Sequence, residues 1–457
     1  MERLSGETLL TYVGGRASGA VPSVACVSTD SRKIGRECLF IPLKGERMDG
    51  HDFIRMAAEN GAVCALSHRT DIGDVGIPVI YVADTGKALC DLAGAYLREL
   101  AIPVIGVTGS VGKTTTREMI AAVMEQKYKT LQPEGNFNNE IGLPLTILRL
   151  DRSYELAVLE LGMSHAGEIE RLSKIAQPAA AVITNIGVSH IENLGSKEAI
   201  LNAKLEILKG MKPGSPVALC GDDPLLRRVA PFIPFQTVLY GIENDGNVRA
   251  EDIQETPLET RFTVCTKYMS FPVTLNVPGR HNIKNALAAA VCGIQFGLTT
   301  DEIALGLTRY RAGGMRQHRY ERGGFSIIED CYNASPDSMR AAFDVMKCTP
   351  CAGRRIAVLG GMCELGAYAA RLHEEVGAAA AGAAEALYLF GEGAEGYRHG
   401  ACAAGMEDAD IHLFDTHTAL AEQLADDARA GDLLLFKGSR AMRMEEALAL
   451  FLQKTGV

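Results

Sequence analysis

Three successive α/β units are what this 457-residue chain predicts: a small α/β N-terminal domain, a central P-loop parallel-sheet domain and a C-terminal Rossmann-like α/β domain. Length is the first reason, because domains of ~100 to 200 residues divide such a chain into about three. Apolar strand-like runs that alternate with helical patterns through the middle and the end are the second. A glycine-rich turn placed between a strand and a helix is the third. The expected boundaries are 1-98, 99-313 and 314-457.

The first unit contains short strand-like runs, Cys38-Leu39-Phe40-Ile41-Pro42-Leu43 and Val79-Ile80-Tyr81-Val82, with turns between them, and it ends before the glycine-rich turn begins. The central unit offers strands at 104–107, 156–161, 180–184 and 217–220, the pattern of a parallel sheet with covering helices. Arg311-Ala312-Gly313-Gly314-Met315-Arg316 reads as a hinge. Beyond it, 355–361 and 432–436 begin a second strand set, again alternating with helices.

The most specific chemistry lies at Thr108-Gly109-Ser110-Val111-Gly112-Lys113-Thr114-Thr115-Thr116. The strict phosphate-loop pattern wants a glycine where Val107 stands, so this is a shorter form of it. Glycines let backbone N–H groups point at an anion, and the helix N-terminus adds positive potential. Lys113 can reach the outer phosphates of ATP, and the Thr114 hydroxyl can hold Mg2+. A turn that merely joins strand to helix would leave Lys113 and three successive threonines unexplained.

Ligands of doubly wound sheets sit at the carboxyl ends of strands. Glu160, at the end of an apolar run, therefore projects toward the loop as a second Mg2+ ligand, the alternative being a strand-end carboxylate in solvent. His190 follows the next strand, at the same sheet edge, either as a metal or phosphate contact or as a structural histidine. Lys204, on a helical pattern, cannot ligate a cation as an ammonium, which has three donors and no acceptor.

Composition excludes other classes. A net charge of −10 without any basic block argues against a nucleic-acid surface. The opening Met1–Glu7 lacks the apolar core of a secretory signal, and the alanine-rich stretch near 378–384 is too short for a membrane span. The expectation is a cytoplasmic monomer with no membrane insertion. The twelve cysteines are scattered through apolar segments, as buried reduced thiols are, and Cys348 and Cys351 have no second pair at zinc spacing.

The loop, E-L-G-M at 160–163, T-N-I-G-V-S-H-I-E-N-L-G-S at 184–196, A-K-L-E-I at 203–207, G-R-H-N-I-K-N-A-L-A-A-A at 279–290, M-R-Q-H-R at 315–319 and D-C-Y-N-A-S-P-D-S at 330–338 together resemble the Mur ligase family over nearly the whole chain. Within it, E-G-N-F-N-N-E-I-G-L-P-L-T-I-L at 134–148 and L-G-G-M-C-E-L-G at 359–366 are most similar to members that add D-alanyl-D-alanine to UDP-N-acetylmuramoyl-tripeptide. The resemblance implies two Mg2+ ions, one on Thr114 and Glu160, the other on His190 and a Lys204 carbamylated by CO2. It implies that Asn282 contacts adenine, with helix capping as the alternative for Asn282 and Asn285. Arg316 and Asp330 would reach phosphates and ribose from the last domain. It assigns Ser31, Arg32, Lys44 and Gly45, otherwise an ordinary polar loop set, to the UDP-linked substrate. Asn138 and Asn139 would contact the peptide or the reacting centre. Residues 359–366 and Lys437-Gly438-Ser439-Arg440 become candidate dipeptide loops.

Three rivals stand beside this. A GTPase switch would show an N-K-x-D guanine reader, which is absent from the sequence. Folylpolyglutamate synthase, or a Mur ligase that adds a single amino acid, would share the loop, Glu, His and Lys. A sugar-nucleotide binding module without catalysis would not need Lys113.

Overall fold

The structure is a computed structural model that describes residues 1–243 and 246–456. Among the described residues the strands form three sheets of five, nine and six strands. The first runs in the order Arg16–Ala17, Val79–Tyr81, Ala62–Ser67, Cys38–Phe40, Cys26–Ser28, parallel except for its first pair. Helix Thr85–Leu100 then carries the chain past residue 98 and packs on helix Gly6–Val13 on one side and on Gly142–Ile147 and Glu168–Ala176 on the other. The Tyr96 hydroxyl within it accepts from Glu2 N at 2.7 Å and donates to Leu150 O at 2.6 Å, tying the N-terminus to the central unit.

In the second sheet, strand Val104–Thr108 lies between Leu156–Glu160 and Ala180–Ile183, all three parallel. Every residue of the three is buried, which is why each reads as an unbroken apolar run rather than an alternation. The chain runs from Val104–Thr108 out to Thr130–Leu131 and back to Leu156–Glu160 on one side, then crosses to Ala180–Ile183 on the other, and that reversal leaves an open crevice at the strands' carboxyl ends. Pro216–Cys220 and Gln236–Gly241 extend the sheet in parallel.

The parallel reading is incomplete, because Val248–Glu255, Thr260–Thr266 and Ser270–Leu275 add an antiparallel ribbon at the sheet's edge. Its strands alternate: Thr260, Phe262 and Val264 are buried, whereas Arg261 is exposed and Thr263 half-buried. One wet face gives a period of two, and the charged residues on that face hide the strands from a search for apolar runs.

The third sheet runs His318–Arg322, Phe325–Asp330, Leu433–Lys437, Arg355–Gly360, Ala386–Phe390, Ile411–Phe414, parallel after an initial antiparallel hairpin. Residues 310–317, which include the expected hinge at 311–316, carry no helix or strand and join helix Thr300–Arg309 to this sheet. Among the described residues, no helix is long and apolar enough to cross a membrane.

Candidate active site

A cleft of about 1140 Å3 opens at the carboxyl ends of the central strands and is walled on its far side by the third domain. Its floor is the glycine-rich loop. Gly112, at φ +80°, turns the chain into helix Lys113–Met124 without a side-chain cap, so the first amides of the helix stay open to an anion. Lys113 Nζ donates to its own loop at Gly109 O (2.9 Å) and Ser110 O (3.2 Å). Burial pushes its pKa down, and the nearby Glu160 carboxylate opposes that shift.

The loop is braced from the neighbouring strand by residues that sequence reasoning did not single out. Asn185 Oδ1 accepts from Ser110 N at 3.1 Å and Val111 N at 2.9 Å, and Thr184 Oγ1 donates to Val111 O at 2.6 Å. Removing that acceptor by Asn185→Ala leaves the Val111 amide unanswered, while Ser110 N keeps the Asn185 backbone carbonyl at 3.1 Å, at a cost of about 1–3 kcal/mol. The expected outcome is a lower thermal unfolding midpoint together with a raised KM for ATP, and an unchanged KM would contradict the bracing role. Thr108 and Gly109, expected among the ATP contacts, do not line the cleft. Thr108 is fully buried and its hydroxyl donates to Leu161 O at 2.8 Å, while a Cβ on Gly109 would stand 1.8 Å from Thr184 Oγ1. Both shape the loop from beneath.

Thr114 Oγ1 donates to Glu160 Oε2 at 2.8 Å, and Asn138 Nδ2 donates to Glu160 Oε1 at 2.8 Å. Glu160 is only 2% exposed, and each of its two carboxyl oxygens accepts from one of these donors. Lys204 does not line the cleft, yet it lies close behind it: 1% exposed, with an Nζ that has no hydrogen-bond partner among the described residues. Burial, reinforced by Lys113, pushes its amine well below the usual lysine range. An orphaned buried amine of that kind fits conversion to a carbamate, whose oxygens accept instead of donate. The hard oxygen set of Thr114 and Glu160 likewise fits Mg2+, which takes few protein ligands when phosphates supply the rest. His190, at φ +63°, is half-buried on the cleft wall, and its Nδ1 lies 2.5 Å from Glu364 Oε2 of the third domain.

On the opposite wall, Asn282 Nδ2 donates to Pro278 O at 2.8 Å and its Oδ1 accepts from Asn285 Nδ2 at 3.3 Å. Neither asparagine caps the helix Arg280–Gln295, whose N-cap is Gly279. Asn285 instead accepts from Thr116 Oγ1 at 3.0 Å and sits against Gly112, bracing the loop from the other side. The Arg316 guanidinium lies 3.9 Å above the Tyr332 ring, which fixes its plane toward the cleft. Asp330 faces the same space, but Lys437 Nζ donates to its Oδ2 at 2.6 Å and Gln317 N to its Oδ1 at 3.3 Å.

The two candidate dipeptide loops touch: Ser439 N donates to Gly361 O at 3.1 Å and Cys363 N to Ser439 Oγ at 2.9 Å. Lys437 lines the cleft, with its ammonium committed to Asp330 and to Asn333 O. Asn138 and Asn139 line it too, although Asn139 Oδ1 is turned to the amides of Ile141 and Gly142 at 3.2 and 2.8 Å. Ser31, Arg32, Lys44 and Gly45 do not line it. Arg32 folds onto Asp30, Ser31 is buried beside Met56, and Lys44 and Gly45 form an exposed turn closed by Gly45 N donating to Met48 O at 2.9 Å.

Family comparisons agree along the chain. The Mur ligase middle domain matches residues 107–293, the glutamate ligase domain of Mur ligases residues 315–440, and the catalytic domain of the Mur ligase family residues 23–107. A UDP-N-acetylmuramoyl-tripeptide--D-alanyl-D-alanine ligase of Bacillus subtilis is 42% identical over 92% of this chain and 91% of its own. The chain belongs to the Mur ligase family. Among solved structures, MurF from Acinetobacter baumannii superposes with a TM-score of 0.91 at 30% identity, over 99% of each chain. MurF ligase from Thermotoga maritima, in complex with ADP, gives 0.84 at 31% identity over 94% of this chain and 98% of its own. The Mur ligase match extends over the phosphate loop, Glu160, His190, Lys204 and Asn282 in the middle domain and over Arg316 and Asp330 in the last.

Proposed function

We propose that this Mur ligase joins D-alanyl-D-alanine to the terminal carboxylate of UDP-N-acetylmuramoyl-tripeptide, using ATP and passing through an acyl phosphate, as a cytoplasmic monomer. The observation that carries the reading is the single cleft in which a phosphate loop, the Thr114–Glu160 pair and the third domain's Arg316 and Asp330 meet, in a chain that aligns nearly end to end with ligases of that activity.

A carboxylate is a poor electrophile, so amide formation first needs a leaving group on it. A carboxylate oxygen of the tripeptide attacks the γ-phosphorus of ATP, and the bond to the ADP oxygen breaks. Lys113 exchanges its loop carbonyls for phosphate oxygens and follows the charge as it moves to the leaving ADP. Arg316, held flat on Tyr332, meets the same phosphates from the facing wall. Thr114 with Glu160 would hold one Mg2+, and His190 with carbamylated Lys204 the other; when bound, these ions neutralise charge across the transferring phosphoryl group. The dipeptide amine then attacks the acyl carbon, inorganic phosphate leaves and the amine loses its proton. Seating of the third domain keeps water away from the acyl phosphate during this step. Ser31, Arg32, Lys44 and Gly45 would hold the UDP end, with Asn138 and Asn139 near the peptide, and Asn282 would face adenine.

The test is phosphate release from ATP by the purified protein with the UDP-linked tripeptide and, in turn, D-alanyl-D-alanine, L-lysine, meso-diaminopimelate and glutamate. Release driven by the dipeptide alone is expected. Release driven best by one free amino acid would move the assignment to a single-residue ligase or to folylpolyglutamate synthase.

A further inference from the structure

His190 is met from across the domain boundary. It sits in the central domain at the start of the short helix Ile191–Leu194, while Glu364 lies in the loop that leaves strand Arg355–Gly360 of the third sheet. The approach of Glu364 Oε2 to Nδ1 at 2.5 Å is one of several contacts along this seam. Glu192 N donates to Glu364 O at 3.3 Å, and the Tyr368 hydroxyl donates to Gly195 O at 3.1 Å. Gly366 adopts φ +52°, and a Cβ there would come 3.0 Å from Glu192 Cγ, so the two backbones meet closely. His190 Nδ1 is buried and has no aligned hydrogen bond, to Glu364 or any other described residue, and the Glu364 carboxylate at 2.5 Å is the ion-pair partner set beside it.

A carboxylate beside one imidazole nitrogen holds the proton there and fixes the plane of the ring, which leaves the lone pair on the other nitrogen. Nε2 of His190 makes no hydrogen bond within the described residues, and the ring borders the cleft. We propose that Glu364 is a positioning residue supplied by the third domain, which orients His190 so that Nε2 can accept the second divalent cation only while the two domains are seated together. The inference rests on the two-cation reading above. Linkage then works in both directions: seating favours cation binding, and cation binding favours seating by the same factor.

The test uses the full chain with a β,γ-methylene analogue of ATP and the UDP-linked tripeptide, and counts bound Mn2+ by electron paramagnetic resonance. The wild type should bind two Mn2+. Glu364→Ala should weaken one of them by about 10- to 100-fold, the usual scale for losing such a partner, and leave the other within about twofold. Glu364→Gln, which keeps an oxygen facing the ring, should recover part of the loss. In a His190→Ala background, Glu364→Ala should change nothing further. Steady-state rates should show a raised apparent KM for Mg2+ with kcat restored at saturating Mg2+. Equal weakening of both ions, or no weakening of either, overturns the positioning role. A wild type that binds a single Mn2+ overturns the two-cation reading, and this inference with it.

Discussion

Lys113→Ala is expected to lower ATP-driven amide formation by roughly a thousandfold or more, about 4 kcal/mol in the barrier, while the far-UV circular dichroism stays that of the parent. The lysine is the cation that the cleft holds nearest the phosphate loop's own carbonyls, and its two contacts there, at 2.9 and 3.2 Å, are to backbone oxygens that remain braced without it. Folding therefore loses little. Charge that collects on the β–γ bridging region during transfer loses its nearest compensation in a site where burial already weakens screening. Single-turnover measurement of phosphate transfer separates this from binding: a loss confined to KM, with the chemical step intact, would remove Lys113 from the transfer and leave it a binding residue.

Replacing Lys204 by methionine should move activity and stability in opposite directions. In CO2-depleted buffer the amine is buried, 1% exposed and without a partner, and such a group costs about 1–3 kcal/mol. A thioether of similar length removes that cost, so the thermal midpoint should rise while ligase activity falls by about a hundredfold or more, as the acceptor for a cation is lost. The pH dependence has a definite sign. The folded pKa lies well below the ordinary 10.5, so the folded protein binds fewer protons than the unfolded chain between those values. Stability of the CO2-free protein therefore climbs as pH rises toward 10.5, and the methionine variant lacks that climb. The same depressed pKa leaves neutral amine to attack CO2, forming an N–C bond with loss of a proton. Labelled bicarbonate should give a carbamate 13C resonance in the parent that is missing from Lys204→Met. An identical spectrum from both proteins would exclude carbamylation at this position.

Much of this site could be read from the chain because its signals are local. A strand, a glycine turn and a helix start within thirteen residues place the phosphate loop, and Glu160 and His190 follow buried strands whose ends must converge on it. The bracing residues gave no comparable signal. Asn185 looks like any loop asparagine until its side-chain oxygen is found on two loop amides, and Asn285 looks like a helix residue until Gly112 is found against it. Contacts between distant segments gave none either: Lys437 meets Asp330 through strand pairing inside the third sheet, and Glu364 meets His190 through the seating of two domains, neither of which a local periodicity encodes. The antiparallel ribbon escaped for a different reason: one face of its strands meets solvent, and the polar residues there, charged chiefly in Val248–Glu255, break the apolar runs that marked the other strands.

Helix Thr85–Leu100 has a practical consequence for anyone who wishes to divide the molecule. Its buried residues Leu89, Leu92 and Tyr96 belong to one continuous apolar cluster with Leu9 of the first domain and Ile147 of the second. A truncation that starts at the phosphate loop strips this cover and bares greasy surface on both fragments, so neither half should stay dispersed on its own. Trypsin nicking in the 310–317 stretch, where the main chain carries no helix or strand, is the gentler way to ask which pieces survive apart.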